Sequence, residues 1–267
     1  MKHTKCESTV KLADIICHDR DRLTVPVVDI TNVAAYWSTL PAEHAMDPRD
    51  FPSVAPAFPD LLLDASRAEF PFAVRIEAGE RPKDRPDDPL FMCLATGYVP
   101  NGAKRVSEVF SAPYVTSPEG KLDDLGMDVH EGFTLAQAAV MLYVSLLAVS
   151  FMHCKNVTQE EVTPVAVLAK KQLRKHGIPK VSYRVLKIEP MTRALREQGD
   201  SDRKGLGHAL HICRGHFKTY TAERPLFGQR VGTWWWDTNL RGARSVGTVV
   251  KDYEIIGGTN EAQPNAD

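Results

Sequence analysis

The chain has 267 residues, of which 43% are apolar and 25% charged. That is long enough for one large domain or two small ones, and apolar enough to exclude wholesale disorder. The formal net charge of −1 hides an asymmetry: residues 170–244 hold 17 Lys+Arg against 6 Asp+Glu, leaving 16 and 28 for the rest. The C-terminal part therefore suits an anionic partner, or the acidic part of the same chain.

Residues 1–22 are polar and charged, which excludes a secretory signal there. Five widely spaced cysteines (Cys6, Cys17, Cys93, Cys154, Cys213) include no C-x-x-C pair. An odd number in this arrangement argues against a disulfide framework and for a reducing compartment. Residues 33–40 predict a short helix stopped by Pro41. Prolines at 48, 52, 56 and 59 mark an irregular, extended connection. Residues 70–78 alternate, with Phe72, Val74 and Ile76 on one side and Ala73, Arg75 and Glu77 on the other, as in a half-buried strand. A charged, proline-rich turn over 79–89 leads to a second strand over 89–98, its antiparallel neighbour. Asp60, Asp64, Glu69, Glu77, Asp87 and Asp88 read as solvated surface acids.

The twenty residues from Phe133 to Met152 carry no charge, enough to span a bilayer. Thr134 and Gln137 have the spacing of a capping box, which starts helices in water. Gln137, Ser145 and Ser150 dilute the apolarity, so the stretch predicts a buried core helix over 134–153 and no membrane partner. Further on, 158–162 predicts a short acidic helix. Residues 166–176 predict a basic helix ending at Gly177 and Pro179. A strand over 181–188 and a short helix over 191–198 follow. Two strands come next, over 209–220 and 231–237, separated by a turn with Pro225 and Gly228. The fold class expected is α+β, a mixed, mostly antiparallel sheet with one long buried helix, because regular βαβα alternation is missing. The expected division is an acidic α+β portion over 1–165, a basic β-rich portion over 166–256 packed with it as one domain, and a disordered tail over 257–267.

Residues 208–220 place His208, His211, Cys213 and His216 within nine positions. Imidazole and thiolate are zinc ligands. On one continuous strand, however, His208 and His216 share a face while His211 and Cys213 take the other. No metal and no cofactor are expected. Arg214 and His216 flank Gly215: a planar guanidinium fork and a proton-exchanging imidazole beside a position of close approach. They are the catalytic candidates should the chain be a nuclease, although local carboxylates for a metal are scarce, Glu223 and Asp237 alone. Lys218, Tyr220, Arg224, Phe227, Arg230, Trp234, Trp235, Trp236, Arg241 and Arg244 interleave cations with rings, a pattern suited to single-stranded nucleic acid or to an extended peptide. On a strand, Trp234 and Trp236 share one face and Trp235 takes the other, so at least one of those faces is core.

The string His211-Ile212-Cys213-Arg214-Gly215-His216-Phe217 resembles the H-I-x-R-G-H-aromatic signature near the C-terminus of the type V-A anti-CRISPR family that blocks biogenesis of the type V CRISPR effector nuclease. The apolar helix around residues 141–151 loosely resembles one placed upstream of that signature. The resemblance implies a phage- or plasmid-type protein in the cytoplasm of a bacterial host. It would recognise the N-terminal peptide of a nascent chain and lower the level of its message. His211, Arg214, Gly215, His216 and Phe217 carry over. Phe217 stands where a family member has Trp, and the long basic, insertion-like region and the Trp run do not align with the family. The binding candidates are thus His211, Arg214, Gly215, His216, Phe217, Lys218, Tyr220, Trp235 and Arg241. The partners expected are a nascent peptide, RNA, or both. The alternatives are a nucleic-acid enzyme and a plain RNA- or DNA-binding module.

Overall fold

The structure, a computed structural model, describes residues 10–19, 25–40, 46–79, 91–189, 209–213, 215–226, 228–236, 239–241, 243–250 and 254–255. The expected helix over 191–198, the tail over 257–267, His208, Arg214, Phe227, Asp87 and Asp88 lie outside them. The chain divides into two units, 1–188 and 189–267.

In the first unit the described elements are α1 (Leu12–Asp19), β1 (Val27–Asp29), α2 (Thr31–Ser38), β2 (Asp60–Asp64), β3 (Ala73–Ala78), β4 (Phe91–Pro100), β5 (Val106–Thr116), β6 (Leu122–Leu125), β7 (Asp128–Val129), α3 (Leu135–Met152), β8 (Val157–Val162), α4 (Ala166–His176) and β9 (Tyr183–Ile188). The nine strands form one sheet in the order β6-β5-β4-β3-β2-β1-β9-β8, with β7 also beside β5. The sheet is mixed and mostly antiparallel. β1 runs parallel to both β2 and β9, and the other pairs run antiparallel. The fold is α+β.

The sheet is covered on both faces. Leu12, Ala13, Ile16 and Cys17 of α1 pack with Val27, Leu62, Ala73 and Tyr98 on one face. Val28, Leu61, Leu63, Val74 and Ile76 point the other way and are equally buried. α3 packs against β3, β4, β8 and β9. It is apolar all round, as suits a helix that is largely covered by protein: its first turn and Val140 are exposed, while Met141 to Phe151 are buried apart from half-buried Tyr143. The expected capping box is formed: Thr134 Oγ1 accepts from Gln137 N (3.3 Å), and Gln137 Oε1 accepts from Thr134 N (2.9 Å). Ser145 and Ser150 donate to the carbonyls of Met141 and Ser53, so their burial leaves no hydroxyl wanting. α3 alone among the described helices has the length and composition to cross a membrane. It lies instead as the buried core helix of this unit, as in a soluble domain.

Gly97 marks the tightest packing in the sheet. A Cβ there would lie 2.2 Å from the ring of Phe110 on the neighbouring strand, so no other residue fits. The strand register shifts just beyond it, between Gly97 and Tyr98. Gly177 ends α4 in the left-handed conformation at φ 75°, and its N–H donates to Leu173 O at 2.8 Å.

Three expectations are corrected. Residues 158–162 belong to strand β8 rather than an acidic helix, because pairing with β9 over Val157–Val162 overrides local preference. Asp64 is not a surface acid but is 1% exposed. The stretch 209–220 is not one strand. β10 (Ala209–Cys213) and β11 (His216–Tyr220) belong to different sheets, and Gly215 lies outside both strands. In the second unit β10 pairs antiparallel with β13 (Asn239–Arg241) and parallel with β14 (Ala243–Val250), which pairs with β15 (Glu254–Ile255). β11 pairs antiparallel with β12 (Gly232–Trp236).

Candidate functional site

The signature stretch spans the break between β10 and β11. His211 stands in β10, opposite Arg241 of β13. Gly215 lies between the strands, and His216 opens β11. Because β10 and β11 belong to different sheets, strand parity no longer relates His211 and Cys213 to His216. Among the described residues, no group of three His, Cys, Asp or Glu side chains is placed to hold a metal.

The β11–β12 hairpin aligns His216 with Trp236, Phe217 with Trp235, and Lys218 with Trp234. Strand alternation then sorts the side chains. One face carries His216, Lys218, Tyr220, Trp234 and Trp236. Here Leu226, Trp234 and Trp236 form a small core with Tyr220 against it. The His216 ring lies parallel to that of Trp236 at 6.5 Å. The Lys218 ammonium sits 5.1 Å over Tyr220, and the Arg230 guanidinium 5.5 Å over Trp234. The other face carries Phe217 and Trp235, with ring centroids 4.8 Å apart, and a hydroxyl contact between Thr219 and Thr233 at 2.9 Å. Trp235 is 2% exposed. The three tryptophans thus supply packing on both faces. The chemistry turned to solvent comes from His216 and Lys218, both exposed, with Tyr220 half-buried between them and the turn.

A second polar constellation, absent from the sequence reading, lies in the first unit where parallel strands β1 and β2 end. Asp29 and Asp64 are partners across these strands, on the face covered by α1. Asp29 is held by Lys11 Nζ at 3.0 Å, by Arg67, and by the N–H of Thr31 at 3.1 Å. Burial pushes its carboxyl pKa up, but the hydrogen bonds from Thr31 and Lys11 and the Lys11 charge outweigh burial, and the net shift is downward. Asp64 accepts from Ser66 N at 3.1 Å and from the Ser66 hydroxyl. Its Oδ2 is buried without a hydrogen-bond partner. Burial raises its pKa to about 6, against opposing pulls from Ser66 and Lys11. Asp14, also buried, accepts from Gln172 Nε2 and Val181 N, each at 2.9 Å. Ser66 Oγ accepts from Leu12 N at 2.7 Å, and Lys11 Nζ sits 3.3 Å over the Tyr183 ring.

This set ties α1 to the sheet and to the segment after α4. Its cations are already matched to carboxylates, so it reads as a clamp rather than a receptor. Its sequence signal was the pair of short apolar runs ending in acid, Val27-Val28-Asp29 and Leu61-Leu62-Leu63-Asp64. Such continuous runs are what buried parallel strands look like.

The cysteines whose side chains are described offer no reactive group. Cys17, Cys93 and Cys154 are free and buried. Burial first of all pushes the thiol of Cys17 up to about 11, that of Cys154 to about 12, and that of Cys93 upward as well. No protein-family model, no curated protein and no solved structure matches this chain.

Proposed function

We propose that this chain is a regulatory binding protein of the anti-CRISPR type that it resembles. It receives a nascent peptide at the stretch around His211–Phe217 and the hairpin that follows, and it lowers the level of that peptide's message in the cytoplasm of a bacterial host. One observation carries the reading. His216, Lys218 and Tyr220 lie on one face of β11 at alternate positions, spaced about 7 Å apart as are alternate side chains of any extended chain. An extended peptide along this face would meet an imidazole, an ammonium and a phenol ring in register with its own side chains. Ring contacts with Trp236 and Tyr220 hold the imidazole and the ammonium, so little side-chain freedom is lost on binding.

The experiment is a titration of the purified chain with a fluorescein-labelled peptide from the N-terminus of the type V effector nuclease. Saturable binding is expected, weakened tenfold or more in His216→Ala/Lys218→Ala. Equal affinity for a scrambled peptide, or for the double variant, would refute the peptide reading.

A further inference from the structure

We propose that the outer face of α4 is a docking surface for a single-stranded nucleic-acid backbone. This surface stands on α4 alone and does not depend on the hairpin.

The helix reads Ala-Val-Leu-Ala-Lys-Lys-Gln-Leu-Arg-Lys-His over 166–176. At about 100° per residue, Val167, Lys170, Lys171 and Arg174 fall within one arc of about 100°, with Lys175 beside it. All five are exposed. Opposite them, Gln172 is buried, and its Nε2 donates to Asp14 Oδ2 at 2.9 Å and to the Ile178 carbonyl at 3.3 Å. That anchor fixes the rotation of the helix, so the four cations are presented outward by construction. None of them takes part in an ion pair found among the described residues. The other cations near the unit's core, Lys11, Arg67 and Arg75, all do.

Helix stability does not account for this face. Cations in the last turn favour the C-terminal end of the helix dipole by about 0.3–1 kcal/mol. That explains Arg174, Lys175 and His176, which are in the last turn. Lys170 and Lys171 lie a turn earlier, without an acid four residues before or after to pair with. The pairs Lys170–Lys171 and Arg174–Lys175 are one turn apart, about 6 Å along the axis, a spacing that lets them take successive phosphates of one strand.

The exposed apolar residues decide between a strand and a lipid surface. A helix that lies in a membrane gathers its apolar side chains on one face. Here Leu168 and Leu173, both exposed, fall about 140° apart, one on each side of the buried face, and exposed Val167 stands alone among the cations of the outward arc, so the apolar residues do not gather on one face. Leucines flanking a basic arc offer apolar contact to unstacked bases, which a duplex would keep covered.

The test is fluorescence anisotropy of a labelled oligo(U) with the full chain at increasing salt. Four neutralised phosphates predict a slope of log affinity on log salt near −3, or roughly a fiftyfold loss between about 50 and 200 mM. Lys170→Ala/Lys171→Ala should halve that slope. Replacing all four cations by alanine should abolish binding with an unchanged melting temperature, and replacing the three lysines by arginine should preserve it. A flat salt response, undiminished binding by the four-fold variant, preference for duplex DNA of equal length, or binding to phosphatidylserine vesicles without binding to oligo(U) would each overturn the proposal.

Discussion

Replacing Asp64 by Asn should remove a pH dependence that the fold carries at its centre. Asp64 is 1% exposed, and one of its oxygens has no hydrogen-bond partner. Burial is the main reason that its pKa stands near 6 rather than at the ordinary 3.8. The folded state therefore holds this proton more tightly than the unfolded chain does. The contribution is fully present below about pH 4, where both states are protonated, and is lost as pH rises through 6. A shift of about two units corresponds to about 3 kcal/mol. Asparagine cannot ionise, and its carbonyl can take the Ser66 contacts. Urea unfolding of both proteins between pH 4 and 8 should show the wild type losing about 2–3 kcal/mol relative to the variant, nearly all of it as pH rises from about 4 to 6, with parallel curves above about pH 7. The Asp29 contribution runs the other way, present above the usual carboxylate range and lost as pH falls through its depressed value. It is common to both proteins and largely cancels. Parallel stability curves all the way from acid to neutral pH would refute the assignment of a buried, destabilised carboxylate.

Asp29→Ala should cost about 3 kcal/mol or more, because it strips a partly buried Lys11 of its counter-ion and frees the start of α1; chemical denaturation at neutral pH measures this. Gly97→Ala should cost about 1–3 kcal/mol, since its Cβ falls on the buried Phe110 ring; a melting temperature within a degree of wild type would show that the two strands can part there without loss.

The parts of the fold legible in the sequence were those with local signals. The capped apolar helix α3, the basic helix α4 ending at Gly177, and the alternating strands β3 and β9 follow from periodicity and caps. β1 and β2 did not, because three to five apolar residues ending in Asp carry no alternation and gain their meaning only from parallel neighbours. β8 looked helical because Gln159, Glu160 and Glu161 favour helices when no partner strand is considered. The candidate hairpin was legible in composition and in the alternation of its tryptophans. The division between β10 and β11 was not, since the one local signal for it is Gly215. The α1 clamp left no more trace in the sequence than the two apolar runs that end in Asp29 and Asp64. It joins Lys11, Asp29, Asp64 and Gln172 across more than 150 positions, and each of them taken alone resembles a surface residue.

The most direct test of the proposed function compares three proteins, the wild type, Arg214→Ala and His216→Ala, for melting temperature and for the level of type V effector nuclease message in the same cells. His216 is exposed on the hairpin, so its truncation should leave the melt unchanged. The account predicts that wild type lowers the message while both variants melt like wild type and restore it. A message that the wild type does not lower, or variants that lower it as well as wild type does, would contradict the account. Variants that melt early would contradict it too, by giving these two residues to the fold rather than to a partner.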